Sequence, residues 1–273
     1  MEHIGHDERR ISFEVTGSGE PIVMLPPGAS PAPVWRDVAK VLGRRWRTVA
    51  INFSGYGDTE SFLDSRPMQL DDEAEAVFAV LANFPEPAHI VGHSYGGAVA
   101  LRCCLTQPER IRSLILIEPA AYPILDESGD TELSTEVKRV NAEFVARVQA
   151  GQPALAFKDF YNYYNQSAHG WDKLPERLRN GLLSGVSTVA VGLEAIHECP
   201  TSLADCERIE QPTVLLRGEK TDPVHGALTD LLAKTIPGAR HDVVSGAGHM
   251  LSLTHPHAVA GVIERHAERM RAG

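Results

Sequence analysis

Short runs of apolar residues alternate along this chain with longer stretches in which apolar residues recur every three or four positions. The short runs, at Phe13–Val15, Ile22–Leu25, Thr48–Asn52, Ala88–Val91, Leu114–Ile117, Val214–Leu216 and His241–Val244, predict strands. Several are apolar at consecutive positions, as in a strand covered on both faces. The longer stretches, at Val34–Leu42, Asp71–Asn83, Ala98–Gln107, Leu228–Ile236 and Ala258–Arg269, predict helices. Alternation of this kind requires right-handed crossovers. It predicts an α/β fold, a mostly parallel central sheet with helices on both faces.

The rhythm breaks between Ala120 and Cys206, where the pattern is helical and no strand is expected. Gln211-Pro212 then opens the next strand. The expected organisation is a core built from residues 1–119 and 207–273, interrupted by a helical cap over residues 120–206. A chain of 273 residues suits one large domain with such an insertion.

Composition narrows the partners. Apolar residues make up 43% and charged residues 23%, ordinary values for a globular protein. The formal net charge of -10 repels nucleic acid and anionic lipid, so neither is expected. No apolar run reaches a membrane-spanning length, and the polar start MEHIGHDERR does not read as a signal peptide. Cys103, Cys104, Cys199 and Cys206 match no zinc spacing and read as free thiols, which predicts a cytoplasmic protein. Nothing in the pattern speaks to oligomeric state.

The main chemical signal is Gly92-His-Ser94-Tyr-Gly96, placed after a short apolar strand and before a helical stretch. A sharp strand-to-helix turn holds its serine in a strained backbone conformation. Glycines on either side let neighbouring chain pass without a Cβ clash. The hydroxyl then stands above the sheet as a nucleophile, and the next helix points its N-terminus at developing negative charge. In this motif and its setting the chain resembles the α/β-hydrolase family, from Gly17-Ser-Gly-Glu-Pro21 to the C-terminal helix. The resemblance is specific in the core and vague in the cap.

A serine needs a base. Gly246-Ala-Gly-His249 follows the last predicted strand, where a histidine can hang over the sheet edge toward Ser94. A similar segment carries the base in the family. His93 is expected to pack beneath the turn, and His225, His255 and His257 on solvated helix ends.

A third group must orient the imidazole, and two carboxylates compete for the role. Asp222 lies in the segment that usually holds the family's acid, yet the usual register, three residues after the glycine, falls on Thr221. Glu118 ends the strand Leu114–Ile117. Some members of the family, haloalkane dehalogenases and a fungal zearalenone lactonase among them, take their acid from that strand. The longer reach of glutamate suits the position, and Glu118 is the favoured of the two.

The resemblance also implies two backbone donors for an oxyanion. Tyr95 supplies one by its place after the serine. The other comes from Pro26-Pro-Gly-Ala29, where most members have His-Gly. Proline has no N–H to donate, so Gly28 or Ala29 must serve, with Gly28 matching the family position and Ala29 expected against the substrate. Asn52 and Ser54 stand where the family often has an ion pair, and a hydrogen-bonded substitute is expected.

Six of the seventeen aromatic residues fall between Phe157 and Trp171, and Tyr161, Tyr164 and Trp171 are expected on the ceiling of an apolar pocket. These readings predict a hydrolase of a small, fairly apolar carboxylic ester or lactone, working through an acyl-enzyme on Ser94. The same residues would serve hydrolysis of a C–C bond or an amide, or acyl transfer. A non-catalytic small-ligand binder is the third alternative. No phosphate loop, metal constellation or nicotinamide fingerprint occurs, so no cofactor is expected.

Overall fold

The structure, a computed structural model, describes residues 1–6, 9–62 and 66–271. Its sheet comprises β1 (Glu2–His6), β2 (Arg9–Thr16), β3 (Pro21–Leu25), β4 (Arg47–Ile51), β5 (Ala88–His93), β6 (Ile111–Ile117), β7 (Thr213–Gly218) and β8 (Arg240–Val244). They lie in the order β1-β2-β4-β3-β5-β6-β7-β8. Strands from β4 through β8 in that order pair in parallel, while β2 runs antiparallel to both β1 and β4.

Side chains of each central strand alternate between two buried layers. On one face Ile22, Met24, Val91, Ile115 and Leu216 meet α1 (Arg36–Leu42) and α13 (Pro256–Arg271). On the other, Val23, Leu25, Ile90, Leu114 and Leu215 meet α2 (Leu70–Leu81), α3 (Tyr95–Thr106) and α11 (Pro223–Thr235). Burial of each such side chain stabilises the fold by roughly 1.5–3 kcal/mol, which is why both faces stay apolar. β1 was not legible in the sequence. Its residues, Glu-His-Ile-Gly-His, are largely exposed on the sheet edge, where they pair with β2.

Between β6 and β7 the chain forms α4 (Ile124–Glu127), α5 (Thr131–Gln149), α6 (Pro153–Tyr164), α7 (Gly170–Lys173), α8 (Glu176–Ser184), α9 (Val186–His197) and α10 (Leu203–Cys206). α5 packs against both α6 and α9. An aromatic cluster fastens this assembly: Phe144 meets Phe157 and Phe160, and Phe157 stacks on Trp171 at 5.7 Å between ring centroids. A short helix, α12 (Leu251–Thr254), precedes α13. Among the described residues no helix is long and apolar enough to cross a membrane.

Candidate active site

The turn from β5 into α3 puts Ser94 at φ 53°, in the left-handed region that costs an ordinary residue free energy. The neighbouring glycines make this turn possible. A Cβ on Gly92 would lie 2.2 Å from the Gly96 carbonyl oxygen, and one on Gly96 would lie 2.4 Å from that of Leu25. Neither position tolerates a side chain.

His249, in the loop after β8, lies with Nε2 3.1 Å from Ser94 Oγ. Its Nδ1 is 2.5 Å from Glu118 Oε2, so Nδ1 carries a proton and Nε2 is free to accept the serine's. Glu118 leaves β6 at φ 44° and is fully buried. It also accepts from the Gly218 amide and the Thr221 hydroxyl, each at 2.7 Å. Burial pulls the His249 imidazole down, but the hydrogen bond and charge of Glu118, with the charge of Asp222 behind them, outweigh it. The net shift is upward from 6.5.

Asp222, the competing carboxylate, faces a different histidine. It caps α11 by accepting from the His225 amide at 3.0 Å and pairs with His225 Nδ1 at 2.8 Å. Burial pushes the Asp222 carboxyl up, yet its bonds to His225 hold it down at about 2. The expectation that His225 lies on a solvated helix end is therefore wrong: it is 1% exposed and stacks on His249, with ring centroids 4.0 Å apart. Tyr122 Oη lies 3.3 Å from its Nε2. A sequence signal existed, since Asp-Pro-x-His at a helix start places a side chain at N3 that can return to its cap. His93 sits under the turn as expected. Its Nε2 donates to the His249 carbonyl at 2.8 Å, and burial and the His249 charge lower its pKa well below 6.5.

Donor amides frame the serine. Tyr95 opens α3, so its N–H has no carbonyl one turn earlier to bond. Gly28 lies alongside, since a Cβ there would be 3.8 Å from the Tyr95 Cβ. The Ala29 amide already donates to Tyr56 Oη at 3.0 Å. Asn52 and Ser54 form the expected hydrogen-bonded substitute. Asn52 accepts from the Ala32 amide and donates to Ser12 Oγ, and Ser54 accepts from the Phe62 amide.

Ser94 opens into a cavity of about 890 Å³ between the sheet and the helical segment. Ala29, Tyr161 and Tyr164 line it as expected, together with Phe53, Tyr56 and Phe160. Trp171 does not. Its ring is spent on Phe157 and Tyr161, so the expectation that it contacts substrate is corrected. Glu73 reaches the cavity floor, where burial pushes its carboxyl up to about 7 despite a hydrogen bond from the Ser54 amide. Among the described residues, Asp222, His225 and His249 bring possible metal donors within 4.8 Å of one another. Each donor atom is already committed to a protein partner, and two stacked rings cannot aim their lone pairs at one ion.

A parallel sheet with a strained serine over the strand ends, a paired imidazole and a buried carboxylate defines a hydrolase. The chain matches the Alpha/beta hydrolase family over residues 22–262, and it belongs to that family. It is 25% identical over 249 residues to a pimeloyl-[acyl-carrier protein] methyl ester esterase of Nitrosomonas europaea, covering 90% of this chain and 95% of that one. It is 31% identical over 249 residues to a putative carbamate hydrolase, RutD, of Azorhizobium caulinodans, covering 89% of each. Among solved structures, the enol-lactonase of Burkholderia xenovorans LB400 superposes with a TM-score of 0.79 at 16% identity, over 98% of this chain and 100% of that one.

Proposed function

We propose that this protein hydrolyses a carboxylic ester or lactone of a small, fairly apolar substrate through an acyl-enzyme on Ser94. The observation that carries the reading is the Ser94–His249–Glu118 relay, with contacts of 3.1 and 2.5 Å, opening into the large apolar cavity. As Ser94 Oγ attacks the acyl carbon, its proton passes to His249 Nε2. Glu118 holds the resulting imidazolium. The Gly28 and Tyr95 amides receive the oxyanion, because the Ala29 amide is held by Tyr56.

On collapse of the intermediate, the His249 proton goes to the leaving oxygen, which in a lactone stays tethered to the acyl chain. Water then attacks the acyl carbon, gives its proton to His249, and Ser94 leaves with that proton restored. The helices over residues 120–206 act as a cap, with Phe160, Tyr161 and Tyr164 as the apolar ceiling. The similarity to a methyl ester esterase and to an enol-lactonase supports this substrate class.

The test is reaction with a fluorophosphonate, followed by turnover on panels of nitrophenyl esters and lactones. Stoichiometric labelling at Ser94, absent in Ser94→Ala, with turnover of an ester or lactone, is the expected result. Labelling with turnover of amides alone would overturn the substrate class. No labelling would overturn the mechanism.

A further inference from the structure

We propose that Asp222 and His225 act as a pair of positioning residues for His249, bringing a second buried carboxylate to the base through a stacked imidazole. The inference rests on the roles given above to Ser94, His249 and Glu118.

Hydrogen bonds hold the His225 ring at both nitrogens. Asp222 Oδ2 lies 2.8 Å from Nδ1, and Tyr122 Oη lies 3.3 Å from Nε2. The ring so held lies over His249, with centroids 4.0 Å apart and an interplanar angle of 30°. The Asp222 carboxylate behind that ring favours, by its charge, the imidazolium that His249 becomes in the reaction.

A helix cap alone does not explain this arrangement. Serine, threonine or asparagine caps a helix without charge, and a fully buried ion is costly unless something compensates it. Asp222 and His225 are 0% and 1% exposed, so solvent does little to screen the charge. The other groups facing His249 are Glu118 from the end of β6, His93 from β5, Tyr164 from α6 at 6.3 Å, and Ser94. Glu118 orients the imidazole in its own plane; Asp222 and His225 act on its face.

The test is Asp222→Asn, which keeps an acceptor for the His225 amide and removes the charge. kcat/KM for 4-nitrophenyl butyrate is measured across pH, with Tm and circular dichroism as checks on folding. The expected result is an ascending limb moved to lower pH by about half a unit or more. The plateau kcat should fall about tenfold with KM unchanged. Should Asp222→Asn fail to fold, Asp222→Ser retains the cap, and the same shift is required of it. A limb that coincides with the parent's, or failure of both variants to fold, would overturn the inference, since Asp222 would then be a structural cap. Glu118→Gln in the same assay separates the two claims: full activity there would defeat the underlying mechanism, while an inactive Glu118→Gln beside an unshifted Asp222→Asn defeats this inference alone.

Discussion

Thr221 Oγ1 donates to Glu118 Oε2 at 2.7 Å, onto the same oxygen that receives His249 Nδ1. The position that usually holds the family's acid has thus become a hydrogen-bond donor to an acid carried by the neighbouring strand. With the Gly218 amide on Oε1, the Glu118 carboxylate meets three donors.

That arrangement makes Glu118→Gln a severe change. A glutamine amide must turn its NH2 either toward the Gly218 donor or toward His249, and the second choice imposes the wrong imidazole tautomer. kcat should fall by about 10³–10⁴-fold with little change in Tm. Steady-state turnover and thermal melts check this, and a loss below tenfold would defeat the assignment.

The base works only when neutral. Since its pKa lies above 6.5 in the fold, kcat/KM should rise with pH along a limb centred above 6.5, and activity should be lost below it as His249 becomes protonated. The pH dependence of fluorophosphonate labelling gives the same limb without the complication of product release.

Glu73 predicts an effect of opposite kind. Its carboxyl titrates near 7 in the fold against an ordinary 4.5, so the unfolded chain holds the charge more readily. Folding therefore weakens as pH rises from 4.5 through 7. Glu73→Gln should raise stability above pH 7 by about 1–3 kcal/mol relative to the parent and have little effect below 4.5. Urea titrations at pH 4.5 and 8.5 would show the difference.

The turn at Ser94 is equally testable. Gly96→Ala places a methyl group 2.4 Å from the Leu25 carbonyl oxygen and 2.6 Å from that of Pro26. Backbone cannot swing aside as a side chain can. Loss of stability of about 3 kcal/mol or more, or loss of soluble expression, is expected. Unchanged melting would show that the turn relaxes.

The sheet and the reaction centre were legible because both obey short-range rules. Apolar runs such as Leu114–Ile117 announce strands buried on two faces, and glycines around Ser94 announce a turn no other residue allows. β1 stayed hidden because an exposed edge strand needs no apolar pattern. The pairing of Asp222 was legible in Asp-Pro-x-His at the start of α11, but what His225 then stacks on was not, since that depends on how the loop after β8 returns over the sheet. Trp171 shows a third limit: periodicity placed an aromatic residue near the pocket, but its packing on Phe157 is decided by how α6 and α7 meet.

The amide of Ala120 donates to the Ser94 carbonyl at 3.0 Å, two residues beyond Glu118. The polypeptide is thereby moored to the reaction centre just before it departs over the cavity. The segment that brings Tyr122 against His225 and Tyr164 over His249 therefore starts from a point pinned to the nucleophile, which ties ceiling and base to one another.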